Sequence, residues 1–174
     1  MKIIKAKRLD QQYDIMVDDG DYDLLSRHRW YLLKSNERLY AYASFYVGNN
    51  KDKQIQMTHM IMGNHFRIDH IDNNSLNNQK YNLRPATHGQ NEWNKGKQKT
   101  SNGKPCTSKY KGVHYDKQCG KYRATIKRNG IFYMLGNFIN EEDAALAYNA
   151  KVIELSGEFA WVNTITPISK DDKA

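Results

Sequence analysis

Hydrophobic and polar positions divide this chain of 174 residues into two halves of different character. In the first sixty residues, short runs of aromatic and β-branched residues alternate with turn-forming residues, which is typical of strands. We predict strands at 13–17, 30–33, 39–47 and 54–57. The run Asp18-Asp19-Gly20-Asp21 predicts a turn, and the apolar run at 57–66 is compatible with a short helix or a buried strand.

The C-terminal half has a more regular pattern. Residues 121–127 alternate strictly between the two faces of a strand, and Asn129-Gly130 is a strong signal for a two-residue hairpin turn. The return strand then covers 131–138, and a regular register pairs Ile126 with Tyr133 and Ala124 with Leu135. An amphipathic helix follows, with Asn140 as its N-cap and Gly157 as its end.

Together with a further strand predicted at 110–115, these elements form three antiparallel strands packed on one helix. The face of the sheet away from that helix carries lysine and arginine together with Phe132 and Met134. A twisted face of this size and charge can enter the major groove of DNA.

Composition narrows the class of protein. Hydrophobic residues make up 39% and the mean hydropathy is −0.87, which favours two small domains over one large core. No apolar run is long enough to span a bilayer, and residues 1–10 lack the apolar core of a secretory signal. With only Cys106 and Cys119, a disulfide framework is excluded. We therefore expect an intracellular, cytoplasmic protein without a membrane partner, as a monomer or weak dimer.

The net charge of +8 predicts an anionic partner, and double-stranded DNA is the simplest. The charge is +2 over residues 1–92 and +6 over 93–174. Six lysines and no acids lie between Glu92 and Asp116, in a stretch rich in glycine, serine and asparagine that is typical of a linker. We predict four segments, with boundaries at 1–95, 96–109 (the basic linker), 110–165 and 166–174 (a tail).

Polar residues of a catalytic kind are concentrated between Arg67 and Asn94. Asp69 can bind a hard cation through oxygen, and a neutral His70 can take a proton from water near pH 7. Thr87-x-x-Gln90 is a capping box, so a helix is predicted from His88. A strand, a loop, a second strand and this helix can bring Asp69, His70, Asn82 and Asn91 together. Taken singly, each residue also fits an ordinary surface or loop position.

The ordered spacing of this segment resembles the HNH endonuclease motif, the ββα-metal fold of phage and intron homing endonucleases. Asp69-His70 matches its "DH", Asn82-Leu83-Arg84 its "NLR", and Asn91 stands where many relatives have histidine. His59 lies where the family tends to have a further histidine, and its role is left open between phosphate placement and structure.

The resemblance implies a role for each matching residue. His70 would be the general base, and Asn82 would orient its imidazole. Asp69 and Asn91 would bind one divalent metal, Mg²⁺ or Mn²⁺, because oxygen ligands and a phosphate suit those ions. Arg84 could contact a phosphate near the site.

The second half resembles the plant APETALA-two or ethylene-response-factor DNA-binding domain. The matching blocks are 110–115, 120–126, 135–138, 141–149 and 161–163. This resemblance implies that the sheet binds DNA through Lys111, His114, Lys121, Arg123 and Lys127.

Together these patterns predict an α+β protein: an HNH nuclease domain followed by a three-stranded sheet packed on one helix. The expected activity is metal-dependent, homing-type cleavage of DNA at a site selected by the C-terminal domain. The alternative is a DNA-binding transcriptional regulator whose HNH-like part is a non-catalytic scaffold.

Overall fold

The computed structural model describes residues 1–35, 37–49, 51–63, 67–101 and 103–165. The chain divides into two compact units, Met1–Asn91 and Glu92–Ala174, and the tail predicted at 166–174 lies outside the described residues. Both strands and helices are present, so the protein is of mixed α and β structure, as predicted. Among the described residues, no helix is long and apolar enough to cross a membrane.

The N-terminal part of the chain contains most of the strands. Its elements are β1 (Lys2–Arg8), β2 (Gln11–Val17), α1 (Asp19–Leu25), β3 (Tyr31–Ser35), β4 (Arg38–Tyr46), β5 (Asp52–Gln56), α2 (Met57–Met62), β6 (Ile68–His70), β7 (Leu83–Pro85) and α3 (His88–Asn94). Strands β1 to β5 form one sheet in the order β2-β1-β3-β4-β5. β6 and β7 form a separate antiparallel pair.

A single apolar cluster stabilises the five-stranded sheet. Inward-facing residues such as Ile4, Ile15 and Val17 are buried with Leu25 of α1 and Met57 of α2, and burying side chains of this size is the main favourable term in folding. The strands predicted in this region are confirmed within a few residues of their ends.

Two local predictions are resolved by the structure. The turn predicted at Asp18–Asp21 is wrong, because α1 begins at Asp19 and its first turn is acidic, which the helix dipole favours. Asp18 precedes that helix, and its carboxylate accepts hydrogen bonds from Gln79 Nε2 at 3.1 Å and Lys80 N at 2.8 Å. The apolar run after residue 56 forms a helix over Met57–Met62, while 64–66 lie outside the described residues.

The C-terminal part of the chain folds around one long helix. Its elements are β8 (Thr100–Ser101), β9 (Lys104–Pro105), β10 (Val113–Asp116), β11 (Lys121–Arg128), β12 (Ile131–Phe138) and α4 (Glu141–Ser156). β8 and β9 form a short ribbon inside the segment predicted as a linker. β10, β11 and β12 form the predicted antiparallel sheet.

Residues from both layers fill the core of this unit. Ala145, Tyr148 and Val152 of α4 are buried together with Val113, Ala124 and Ile126 of the sheet. The predicted bounds of this helix are confirmed, since it begins after Asn140 and Gly157 follows its end with a φ of 52°. The Asn140 side chain makes no capping hydrogen bond to the backbone, and its Nδ2 donates to Asp143 Oδ2 at 3.1 Å instead.

The predicted hairpin register is correct at one end only. Ile126 pairs with Tyr133 as expected, but Ala124 pairs with Gly136 instead of Leu135. An irregularity between Ala124 and Thr125 shifts the register by one residue, as a β-bulge does. Leu135 still packs against the core, so the extra residue re-aims the strand without exposing its apolar side.

Candidate active site

Two short strands place Asp69 and His70 at the base of the candidate site. In the β6–β7 pair, Asp69 lies opposite Arg84 and His70 opposite Leu83. Both Asp69 and His70 are buried, at 2% and 5% exposure. Buried polar side chains of this kind need specific partners, and the structure supplies them.

Helix α3 is held at its start by a reciprocal capping box. Thr87 N donates to Gln90 Oε1 at 2.8 Å, and Gln90 N donates to Thr87 Oγ1 at 3.2 Å. This confirms the predicted helix start, because each side chain satisfies a backbone N–H that the first turn leaves without a partner. Asn91 lies one turn further on, its N–H bonded to Thr87 O at 3.1 Å.

These elements enclose one polar cleft of about 240 Å³. Asp69, His70 and Asn91 all line it, as does His59. The other lining residues are mainly polar and aromatic: Ser35, Arg38, Tyr40, Tyr42, Gln56, Arg67 and Ile68. The structure thus brings three of the four residues of the predicted site to one surface, with cationic side chains beside them.

The environment of His70 favours its neutral form. Burial lowers the pKa of its imidazole below the ordinary 6.5, and this effect outweighs the hydrogen bond to Asn78 and the nearby carboxylates of Asp72 and Asp69, which act in the opposite direction. A histidine that is neutral at pH 7 retains a lone pair that can accept a proton.

Asp69 shares its carboxylate with a buried arginine. Arg84 Nε and Nη2 donate to Asp69 Oδ2 at 3.0 and 2.8 Å, and Arg84 is itself only 9% exposed. The guanidinium is therefore directed at the carboxylate inside the protein, which is a different use from the phosphate contact that the sequence suggested.

The carboxamide of Asn82 closes the loop between β6 and β7. Its Oδ1 accepts from Asp72 N at 2.9 Å, and its Nδ2 donates to Asp72 Oδ1 and Asn77 O, both at 2.8 Å. The backbone O of Asn82 also accepts from Ile71 N at 2.9 Å. A side chain that does reach the His70 imidazole is that of Asn78, whose Oδ1 lies 3.2 Å from Nε2.

Asn78 is a site residue that sequence reasoning misses, because the whole Asn-rich stretch has the pattern of a loop. The stretch is indeed a loop, but it buries three of its asparagines to 4% exposure or less: Asn77, Asn78 and Asn82. The available signal is the unusual density of asparagine near a candidate base, since exposed turns need only one or two such residues.

The donors in this cleft fit a hard divalent ion. Across the described ranges, no three or more histidine, cysteine, aspartate and glutamate side chains are grouped to hold a metal. A cation here would need the carboxylate of Asp69 together with the amide oxygen of Asn91. Mg²⁺ is typically held by one or two protein oxygens, with water and substrate phosphate completing its shell, and a carboxylate has lone pairs enough for both a metal and Arg84.

The residues predicted to bind DNA in the C-terminal unit fall into two groups. His114, Lys121 and Lys127 are exposed on the face of the sheet away from α4. Arg123 is on the same face, but its guanidinium bonds to Asp116 Oδ2 at 2.5 Å and Asn137 Oδ1 at 3.1 Å.

Lys111 is used inside its own unit. Its Nζ donates to Trp93 O at 2.9 Å and Lys95 O at 2.5 Å, and it lies 5.6 Å from the centre of the Trp161 ring. Burial is the main reason that its pKa falls to about 8. The lysine therefore binds backbone carbonyls in this structure, and the exposed lysines are better placed for a phosphate.

Comparison with known proteins agrees with the motif. No protein-family model matches the chain. An HNH endonuclease of Acanthamoeba polyphaga mimivirus, itself described as uncharacterized, is 37% identical over 147 residues, which cover 83% of this chain and 71% of that protein. On this similarity, the chain belongs to the HNH endonuclease family.

Proposed function

We propose that this protein is a metal-dependent DNA endonuclease of the homing type. The observation that carries the proposal is the shared cleft, in which Asp69, His70 and Asn91 lie together beside Arg38 and Arg67. Family membership supports the same reaction class. On this proposal β6, β7 and α3 form the ββα-metal unit, and the neighbouring cations attract the phosphate backbone.

His70 serves as the general base. Its neutral imidazole takes a proton from a water molecule as the water oxygen forms a bond to phosphorus. The bond from phosphorus to the 3′ oxygen breaks, and that oxygen takes a proton from solvent, so the products carry a 5′ phosphate and a 3′ hydroxyl.

Asp69 and Asn91 would hold Mg²⁺ or Mn²⁺, which when bound offsets negative charge on the phosphate and on the leaving oxygen. Arg84 keeps the Asp69 carboxylate oriented through its two donors. Asn82 fixes the loop that joins the strands.

The C-terminal unit selects the DNA site through the open face of its sheet. Lys121 and Lys127 supply charge to this face, and Phe132 and Met134 are 63% and 57% exposed on it. Exposed apolar side chains surrounded by lysine are typical of a binding surface. Tethering this unit to the nuclease raises the local concentration of the cleft at bound DNA.

Plasmid cleavage tests the catalytic part. The parent protein with Mg²⁺ or Mn²⁺ should convert supercoiled plasmid to nicked or linear forms, and EDTA should prevent this. His70→Ala should reduce the rate by at least about 100-fold while leaving DNA binding unchanged. His88→Ala, at an exposed histidine of α3, is the matched control and should cleave like the parent.

Two results would oppose the proposal. Cleavage by His70→Ala at the parental rate would exclude His70 as the base. Tight binding without cleavage in either metal would favour the transcriptional regulator with a non-catalytic scaffold.

A further inference from the structure

The His70 imidazole has a buried side-chain partner that the HNH motif does not assign. Asn78 Oδ1 lies 3.2 Å from His70 Nε2, and Asn78 is 1% exposed. We propose that Asn78 is a positioning residue for the reaction, and that its carboxamide oxygen fixes the orientation and the tautomer of His70. This inference rests on the proposed function, because it concerns the same base.

The chemistry of the two groups determines the tautomer. A carboxamide oxygen only accepts hydrogen bonds, so Nε2 must carry the proton that it donates. A neutral imidazole has one N–H and one lone pair, so the lone pair is then on Nδ1. Asn78 thereby selects Nδ1 as the atom that takes the proton from water.

Contacts with the five-stranded sheet hold Asn78 in place. Asn78 N donates to Met16 O at 2.8 Å, and Met16 N donates to Leu76 O at 2.9 Å. Met16 and Asn77 thus form a parallel β-bridge. The backbone on both sides of Asn77, including the N–H of Asn78, is attached to the edge strand β2, and this attachment restrains the position from which the Asn78 side chain extends.

The remaining polar atom of Asn78 is informative. Its Nδ2 is buried and has no hydrogen-bond partner among the described residues, and a buried donor without a partner opposes folding. An apolar side chain of similar size would avoid this cost. Asparagine is therefore a poor choice for stability here, and the contact of its oxygen with His70 gives a reason for its presence.

Kinetics on the full chain provide the first test. Asn78→Leu, which keeps the volume but removes the acceptor, should lower kcat about 10- to 100-fold with KM for plasmid unchanged. Asn78→Asp, which retains an acceptor oxygen, should recover most of the rate. Asn74→Asp is the matched control at an exposed asparagine of the same loop, because it keeps the side-chain oxygen that accepts a hydrogen bond from Leu76 N at 3.1 Å.

Nitrogen NMR of the histidine rings provides a second test. Its main measurement is made on the parent protein and does not depend on whether a variant at Asn78 folds. In the parent protein, the His70 signals, assigned through their absence in His70→Ala, should show a proton on Nε2 that exchanges slowly with solvent. Asn78→Leu should make that proton exchange faster. A His70 ring protonated on Nδ1 in the parent would overturn the inference.

The outcomes separate this inference from the proposed function. If His70→Ala is inactive and Asn78→Leu cleaves like the parent, only the role of Asn78 fails. If His70→Ala retains the parental rate, the proposed function itself fails.

Discussion

Arg84 has a different use in the structure from the one that its place in the sequence suggests. The sequence marks it as a cation near the catalytic segment. The structure buries it against Asp69, with side-chain exposures of 11% and 2%. An arginine in this position stabilises a carboxylate that would otherwise be buried at a high free-energy cost.

Removing this guanidinium should therefore be strongly destabilising. We expect Arg84→Met to lower the free energy of unfolding by about 3–5 kcal/mol, measured by urea denaturation. Lys5→Ala is the control, because Lys5 and Asp14 form an exposed pair with 4.0 Å between Nζ and Oδ1, and its loss should change stability by less than about 1 kcal/mol. Equal effects of the two substitutions would contradict a stabilising role for the buried pair.

Turns and bulges control the elements of the C-terminal unit. Gly112 has a φ of +76°, and a Cβ at this position would lie 2.0 Å from Tyr148 Cδ2 and 2.9 Å from Thr125 O. Gly112 O also accepts a hydrogen bond from Thr125 N at 2.8 Å. The absence of a side chain here allows the chain entering β10 to pass close to both the helix and the sheet.

Two glycines with nearly the same φ separate the steric effect from the backbone effect. Gly130 has a φ of +81°, and a Cβ at that position would have no neighbour within 4 Å. Gly130→Ala should therefore lower the free energy of unfolding by about 1–2 kcal/mol, the cost of the left-handed conformation alone. Gly112→Ala should lower the free energy of unfolding by several kcal/mol more, because the new Cβ would clash with the Tyr148 ring, which is buried and cannot move away. Urea denaturation of both variants measures the difference, and similar losses would show that the clash is relieved.

The elements that could be predicted from the sequence are those whose signals are local. The Thr87–Gln90 capping box depends on two residues three positions apart, and the Asn129–Gly130 turn depends on two adjacent residues, so both could be predicted. The register shift at Ala124 could not be predicted, because the alternating pattern of residues implies a regular ladder of strand pairing. The contact of Asn78 with His70 could not be predicted either, because it depends on Met16, which is distant along the chain.

At the scale of the whole molecule, charge is distributed unevenly. The net charge is +2 over residues 1–92 and +6 over 93–174, and the exposed lysines of the open sheet face contribute to the larger value. Binding of DNA by such a surface releases condensed counterions, so its affinity should fall steeply as salt rises.

One lysine on each side of the C-terminal unit tests where DNA binds. Lys127→Ala should weaken duplex binding and reduce the slope of log affinity against log salt by about 1. Lys151→Ala changes a lysine of α4 whose Nζ pairs with Glu154 at 2.6 Å, and its slope should match the parent. Both are measured in EDTA by fluorescence anisotropy. An unchanged slope for Lys127→Ala would place the DNA elsewhere.

The bridge between Met16 and Asn77 has a consequence for engineering. Residues 68–94 look like a segment that could be grafted into another scaffold, since they contain Asp69, His70, Asn82 and Asn91. Transplanted alone, however, Leu76 O and Asn78 N would lose their backbone partners on β2. A portable version of this site must therefore bring along the β1–β2 hairpin, which lies far upstream and contains no motif residue of its own.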